Sequence, residues 1–202
     1  MHRIRFYSDD SYQIFAKKTA HFVVAGVAIC HDRADIRRLL LEAERVSRRG
    51  LKDWRATHSA DERERYLDAV LDIPALNGRI FFSPFDALSP SDYWNARVDT
   101  LEAAIAVFTP GDCHHVMHPE GLQGNPRHQL RMELKKRGCE RVTVDPAQFA
   151  MDPEVRLSDA LAGYVRVEMY RGDGQRAVLT NIPAEFVNLE PKRRNPPGFP
   201  GG

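Results

Sequence analysis

Apolar and polar positions along this chain predict strands feeding into helices. Residues 3–8 (RIRFYS) read as a strand, and 21–29 (HFVVAGVAI) as a second, more deeply buried one. The residues between them, beginning at Asp9, read as a loop, so the two strands are expected to pair antiparallel. A helix follows from Asp32, with Ile36, Leu39, Leu40, Ala43 and Val46 on one face and Gly50 as its stop. Ser59 and Glu62 form a capping box for a helix whose core positions are Tyr66, Leu67, Val70 and Leu71. Residues 79–83 (RIFFS) predict a strand. A longer helix begins near Ser91 and carries Trp94, Val98, Leu101, Ile105 and Phe108.

The second half repeats the alternation. A strand is expected over 113–117 (CHHVM), and a basic helix over Pro126–Arg137 that Gly138 stops. A strand over 140–145 and a helix from Asp152 to Tyr170 follow, Asp152 being the N-cap and Pro153 the first position. Residues 177–182 (AVLTNI) read as a final edge strand. Together these elements predict an α/β fold, a mixed sheet with helices on both faces. Residues 1–182 are expected to form one domain. Residues 183–202, rich in proline, glycine and basic residues, read as a flexible tail.

Composition narrows the class. The 202 residues are 43 % hydrophobic and 28 % charged, enough apolar content for one core. A net charge of +1 provides no global basic field. Basic residues are clustered locally, at Arg37, Arg38, Arg45, Arg48, Arg49, Lys52 and Arg55, and again from Arg127 to Lys136. Either cluster could hold phosphates; a solvated helix face is the plainer reading. Cys30, Cys113 and Cys139, odd in number and without paired spacing, argue for a reducing compartment. The first ten residues do not read as a signal peptide, and the run at 22–29 is too short to span a bilayer. A cytoplasmic protein without membrane association is expected. Nothing in the pattern addresses oligomeric state.

One carboxylate stands out. Asp159 lies about two turns into the last helix, beside Val155, Ala162, Gly163 and Arg166, where the small residues let another element approach. A buried carboxylate is costly unless a cation or hydrogen bonds compensate it. Arg156 and Arg166 are the candidate structural partners. The histidines suggest a rival chemistry, because His114, His115 and His118 lie near Cys113 and Glu120 and imidazole and thiolate suit zinc. Their spacing matches no standard zinc set, and on a strand His114 and His118 share a face that excludes His115.

Four segments occur in one order: FYSDDS at 6–11, GLKDW at 50–54, EGL at 120–122 and RLSDALAG at 156–163. With them the chain resembles the prokaryotic domain-of-unknown-function family 3800, whose members are similar to RNase H-like nucleases. The resemblance runs from about residue 3 to residue 170. It implies an RNase H-like mixed sheet flanked by helices, and divalent-metal-dependent cleavage of nucleic acid.

Residue by residue, Asp9 matches the family's first acid, Asp10 stands where Glu is usual, and Asp159 matches the acid of the last helix. Glu120 is the best match for the acid that follows the later strand, although Pro119 before it cannot donate to a ladder. The resemblance thus implies Asp9, Glu120 and Asp159 as catalytic acids, and the same three with Asp10 as ligands of Mg²⁺ or Mn²⁺. Lys52 and Asp53, in a matched Lys-Asp-Trp segment, and His118 are candidate substrate contacts. Gly50 stands where other members carry a Glu. That departure favours the alternative of a weakened module that binds nucleic acid or a protein partner.

Overall fold

The computed structural model describes residues 2–14, 20–30, 33–51, 59–109, 113–122, 124–170 and 182–189. Six strands form one sheet, β1 (His2–Ile14), β2 (Ala20–Ile29), β3 (Ile80–Leu88), β4 (Cys113–Pro119), β5 (Val142–Val144) and β6 (Val187–Asn188), in the order β5-β4-β1-β2-β3-β6. β1, β2 and β3 pair antiparallel; β4 runs parallel to β1, β5 to β4 and β6 to β3. Five α-helices, α1 (Arg33–Val46), α2 (Ala60–Leu71), α3 (Tyr93–Phe108), α4 (Asn125–Lys136) and α5 (Pro153–Met169), cover the sheet. This is the mixed sheet flanked by helices that the sequence predicts.

The alternation of side chains along β1 and β2 sorts the core into two layers. Tyr7, Val23, Ala25, Val27 and Ile29 face α1, α2 and α5, packing on Leu40, Tyr66, Val155 and Leu161. Ile4, Phe6, Ala28 and Phe81 face α3 and α4, packing on Leu101, Phe108 and Leu134. β2 is therefore covered on both sides, which is why it reads as a continuous apolar run. Gly26 sits opposite Ser8. A Cβ there would meet the Tyr7 carbonyl oxygen and come within 2.8 Å of Phe81 Cζ, so only glycine lets β1 and β2 approach this closely.

Three boundaries differ from expectation. β1 continues to Ile14, so Asp9 and Asp10 lie within the strand rather than in a loop, paired with Ala25 and Val24. The long β2 provides the ladder that holds them extended. β4 continues through Pro119, whose missing N–H does no harm at the strand's end: the next donor, Glu120 N–H, bonds the Ser8 carbonyl at 2.9 Å. The assigned tail begins too early, because Phe186 and Leu189 are buried, and the Ser83 hydroxyl and Phe82 carbonyl both bond Leu189. The strand expected at 177–182 falls, but for Ile182, outside the described residues, as does the chain from 190 onward. Among the described residues no helix is long and apolar enough to cross a membrane.

Candidate active site

β1 places Asp9 and Asp10 on opposite faces of the sheet. Asp9 shares the side of Tyr7 and Ser11; Ser11 accepts a hydrogen bond from α5's Arg166 at 2.9 Å. Asp10 carries the other parity, and its carboxylate pairs with Arg97 of α3. The Asp10 backbone N–H donates to Asp9 Oδ1 at 2.7 Å, which fixes the Asp9 carboxylate. Parallel pairing of β1 with β4 sets Pro119 beside Ser8 and so brings Glu120 alongside Asp9. The Asp9 carboxyl group acts directly on that of Glu120, and Asp159, from α5, adds its charge at longer range. Residues 9 and 120, remote in the chain, are thus neighbours at one end of the β1–β4 pair, and Asp159 stands apart on α5.

Electrostatics follow from that arrangement. Burial, then the Asp9 charge and hydrogen bond, then the Asp159 charge push the Glu120 carboxyl up to about 9, with Arg97 opposing. Burial lowers the pKa of Arg97, against the pull of Asp9 and Glu120. Glu120 Oε2 is buried without a hydrogen-bond partner. Such an oxygen among carboxylates that repel one another is what a hard cation would satisfy, so the donor set suits Mg²⁺ or Mn²⁺. Among the described residues, however, no three His, Cys, Asp or Glu side chains are arranged to hold one ion in common.

Two of the acids are engaged by arginines, Asp10 by Arg97 and Asp159 by Arg49. Asp159 accepts a hydrogen bond from Arg49 Nη2 at 3.1 Å, and the Arg49 side chain is wholly buried. Its guanidinium carbon lies 4.5 Å over the Tyr66 ring, while Nε and Nη1 have no hydrogen-bond partner. Burial raises the Tyr66 hydroxyl to about 12, keeping the ring neutral beneath the cation. Arg156 and Arg166 are otherwise engaged: Arg156 grips Glu44 through Nε at 2.6 Å and Nη2 at 2.8 Å, and Arg166 reaches Ser11 and Gln13. Neither Arg49 nor Arg97 stood out as a site residue in the sequence. Arg97 could have been found, since it lies three residues after Trp94 and four before Leu101, on the inward face of α3. Arg49 gives no such signal, because it follows the helix, and Arg48 before it adopts φ 60°.

Among the remaining candidates, Lys52 and Asp53 lie outside the described residues. His118 is buried, stacked on Tyr7 with ring centroids 4.5 Å apart and 3.2 Å from Arg5 Nη1. It lies two residue pairs below Asp9 and Glu120, supporting the strands on which they stand. Cys113 and His115 point into the α3–α4 layer, with His115 edge-on to Phe6 and held below the usual histidine range by burial. The strand thus separates the ligands that the zinc alternative needs. Much of the basic character is matched internally: Arg37 pairs with Asp152, Arg45 with Glu42, Lys136 with Glu133 and Arg137 with Asp99 and Glu102. The Asp152 carboxylate, expected to cap α5, instead receives Arg37 and the Gln148 backbone N–H.

No family model matches the chain, and no curated protein sequence matches it. Several solved structures are similar to it. A point mutant of Bst-RNase HIII aligns with a TM-score of 0.49 and 15 % identity, over 82 % of this chain and 53 % of that one. The PCNA:RNase HII complex from Archaeoglobus fulgidus gives 0.47 and 16 %, over 87 % and 83 %. Bst-RNase HIII in complex with Mn²⁺ gives 0.42 and 16 %, over 82 % and 53 %. The chain spans about half the length of the Bst-RNase HIII chains to which it is similar.

Proposed function

We propose that this chain is a divalent-metal-dependent nuclease of the RNase H-like type, belonging with the family 3800 proteins it resembles and acting on nucleic acid. The observation that carries this reading is the junction of Asp9 and Glu120 with Asp159 in range, strong enough to push Glu120 to about 9. Clustered carboxylates that destabilise one another without a cation are a mark of functional sites. Asp9 and Glu120 would hold Mg²⁺ or Mn²⁺ directly, and Asp159 adds negative charge from α5. When bound, the ion supplies an activated water and neutralises charge on a phosphodiester. The Asp9 carboxylate, oriented by the Asp10 N–H, fixes where the attacked phosphate must sit. Arg97, beside the acids, presents a cation to a phosphate oxygen.

A panel of labelled single-stranded, duplex, hybrid and branched substrates, incubated with Mn²⁺, tests the reading. Cleavage of at least one substrate that Asp9→Asn abolishes is the expected result. No cleavage of any, in a protein that Mn²⁺ does not stabilise thermally, overturns it. A second reading, a weakened module that binds nucleic acid without cutting it, is favoured by the arginines already paired with Asp10 and Asp159. It gains if Mn²⁺ binds and nothing is cut.

A further inference from the structure

We infer that the Tyr12 and Tyr93 rings form a stacking step for one unpaired nucleobase beside the acids, which makes the substrate strand single at that point. The inference rests on the nucleic-acid reading above and narrows its substrate class.

Two elements build the step, meeting rung by rung. Asp10 of β1 pairs with Arg97 of α3. Tyr12, two residues further along β1, meets Tyr93, four residues earlier on α3, with ring centroids 6.0 Å apart and planes inclined at 35°. Two strand residues and one helical turn each advance roughly 6 Å, so the aromatic rung follows the charged one at about that spacing. Tyr93 is held from within. It stacks on Phe22 with centroids 4.5 Å apart and planes at 15°, and Phe22 is wholly buried against Phe85. Tyr12, by contrast, is 38 % exposed. Because β4 ends opposite Ser8, no strand among the described residues flanks β1 on that side at Tyr12. The outer ring is therefore open to solvent, while the ring behind it is fixed by the core.

A single exposed tyrosine on a strand is ordinary; the position of this one selects its occupant. One rung away lies Arg97, on which the charges of Asp9 and Glu120 act. A nucleotide whose phosphate meets Arg97 has its base within reach of the aromatic rung. Stacking accepts any base, since every base has a π-face, and it needs that face uncovered. Inside a duplex the neighbouring bases cover both faces. The step therefore takes a base from a single strand, an end or a flap.

The test is fluorescence anisotropy with a fluorescein-labelled oligodeoxynucleotide and its RNA counterpart, each as a single strand and as a blunt duplex. The Asp9→Asn protein is used, so that nothing bound is cut. The single strand should bind about tenfold more tightly than the duplex. Tyr12→Ala, added to that protein, should weaken single-strand binding by about tenfold, as the loss of one base–ring stack does, and leave duplex binding as it was. Tyr12→Phe keeps the ring and should restore the affinity. Duplex binding that survives in Tyr12→Ala excludes a folding defect. Unchanged single-strand binding in Tyr12→Ala, an equal loss in Tyr12→Phe, or a duplex bound as tightly as the single strand each overturns the step and leaves the nuclease reading standing. No binding of either form overturns the step as well. If the wild-type chain then also cuts nothing, the nuclease reading falls with it.

Discussion

Arg49 Nη2 donates to Asp159 Oδ2 across 3.1 Å from a side chain with no solvent exposure, whereas the Asp159 side chain keeps 19 % of its own. The pair is unequal. The guanidinium depends on the carboxylate far more than the carboxylate depends on it, since water can reach only one of them.

Asp159→Ala should therefore cost about 3–5 kcal/mol of stability, the range for leaving a buried charge without its partner. Asp9→Asn should cost little or stabilise the metal-free protein, because without the Asp9 charge folding need no longer hold Glu120 protonated to the same extent. Denaturant titration of both variants checks the contrast. Equal losses would show that Arg49 does not rely on Asp159.

Glu120 makes stability depend on pH. Its carboxyl is raised in the folded state to about 9 from an ordinary value of 4.5, so the folded chain holds a proton that the unfolded chain has released. Stability of the metal-free protein should fall as pH rises between those values, and level off above the upper one. Chemical unfolding across pH 5–9 in chelator measures the slope. Glu120→Gln should flatten it and raise stability near pH 8. A slope that persists unchanged in Glu120→Gln would assign the effect to another group.

Glu44 and Arg156 form a buried bidentate ion pair joining α1 to α5, at 2.6 and 2.8 Å. Arg156→Met should cost about 3–5 kcal/mol, and the double variant Glu44→Leu/Arg156→Met should recover most of it, because both charges then leave the core together. A double-mutant cycle read by thermal unfolding gives the coupling.

Gly26→Ala puts a methyl group into the β1–β2 contact, within 3.0 Å of Ser8 Cα and 2.8 Å of Phe81 Cζ. We expect a loss of about 1–3 kcal/mol from overpacking, and weaker Mn²⁺ binding because Asp9 is the next residue along β1. Wild-type stability and metal affinity in this variant would show that the strands can part without moving Asp9.

Much of this architecture was legible in the local pattern, and the exceptions share a cause. Ser59 caps α2 through Glu62 N–H as the motif predicts, because capping involves neighbours in sequence. The local pattern ends β1 at Ser8 because Asp9-Asp10 has turn composition; ten residue pairs with β2 override that preference. The three acids are singled out through motifs. Their partners are not, since the bond from Arg49 to Asp159 spans 110 residues and leaves no trace in either local sequence. Arg156 and Arg166, the nearer candidates in sequence, are held by Glu44 and Ser11 instead.

The ends of the sheet carry a consequence of their own. Among the described residues β5 offers three residues and β6 two, so each outermost strand is by itself a short template. An incoming extended segment would find few open amide and carbonyl groups on these two strands, which limits edge-to-edge association through them.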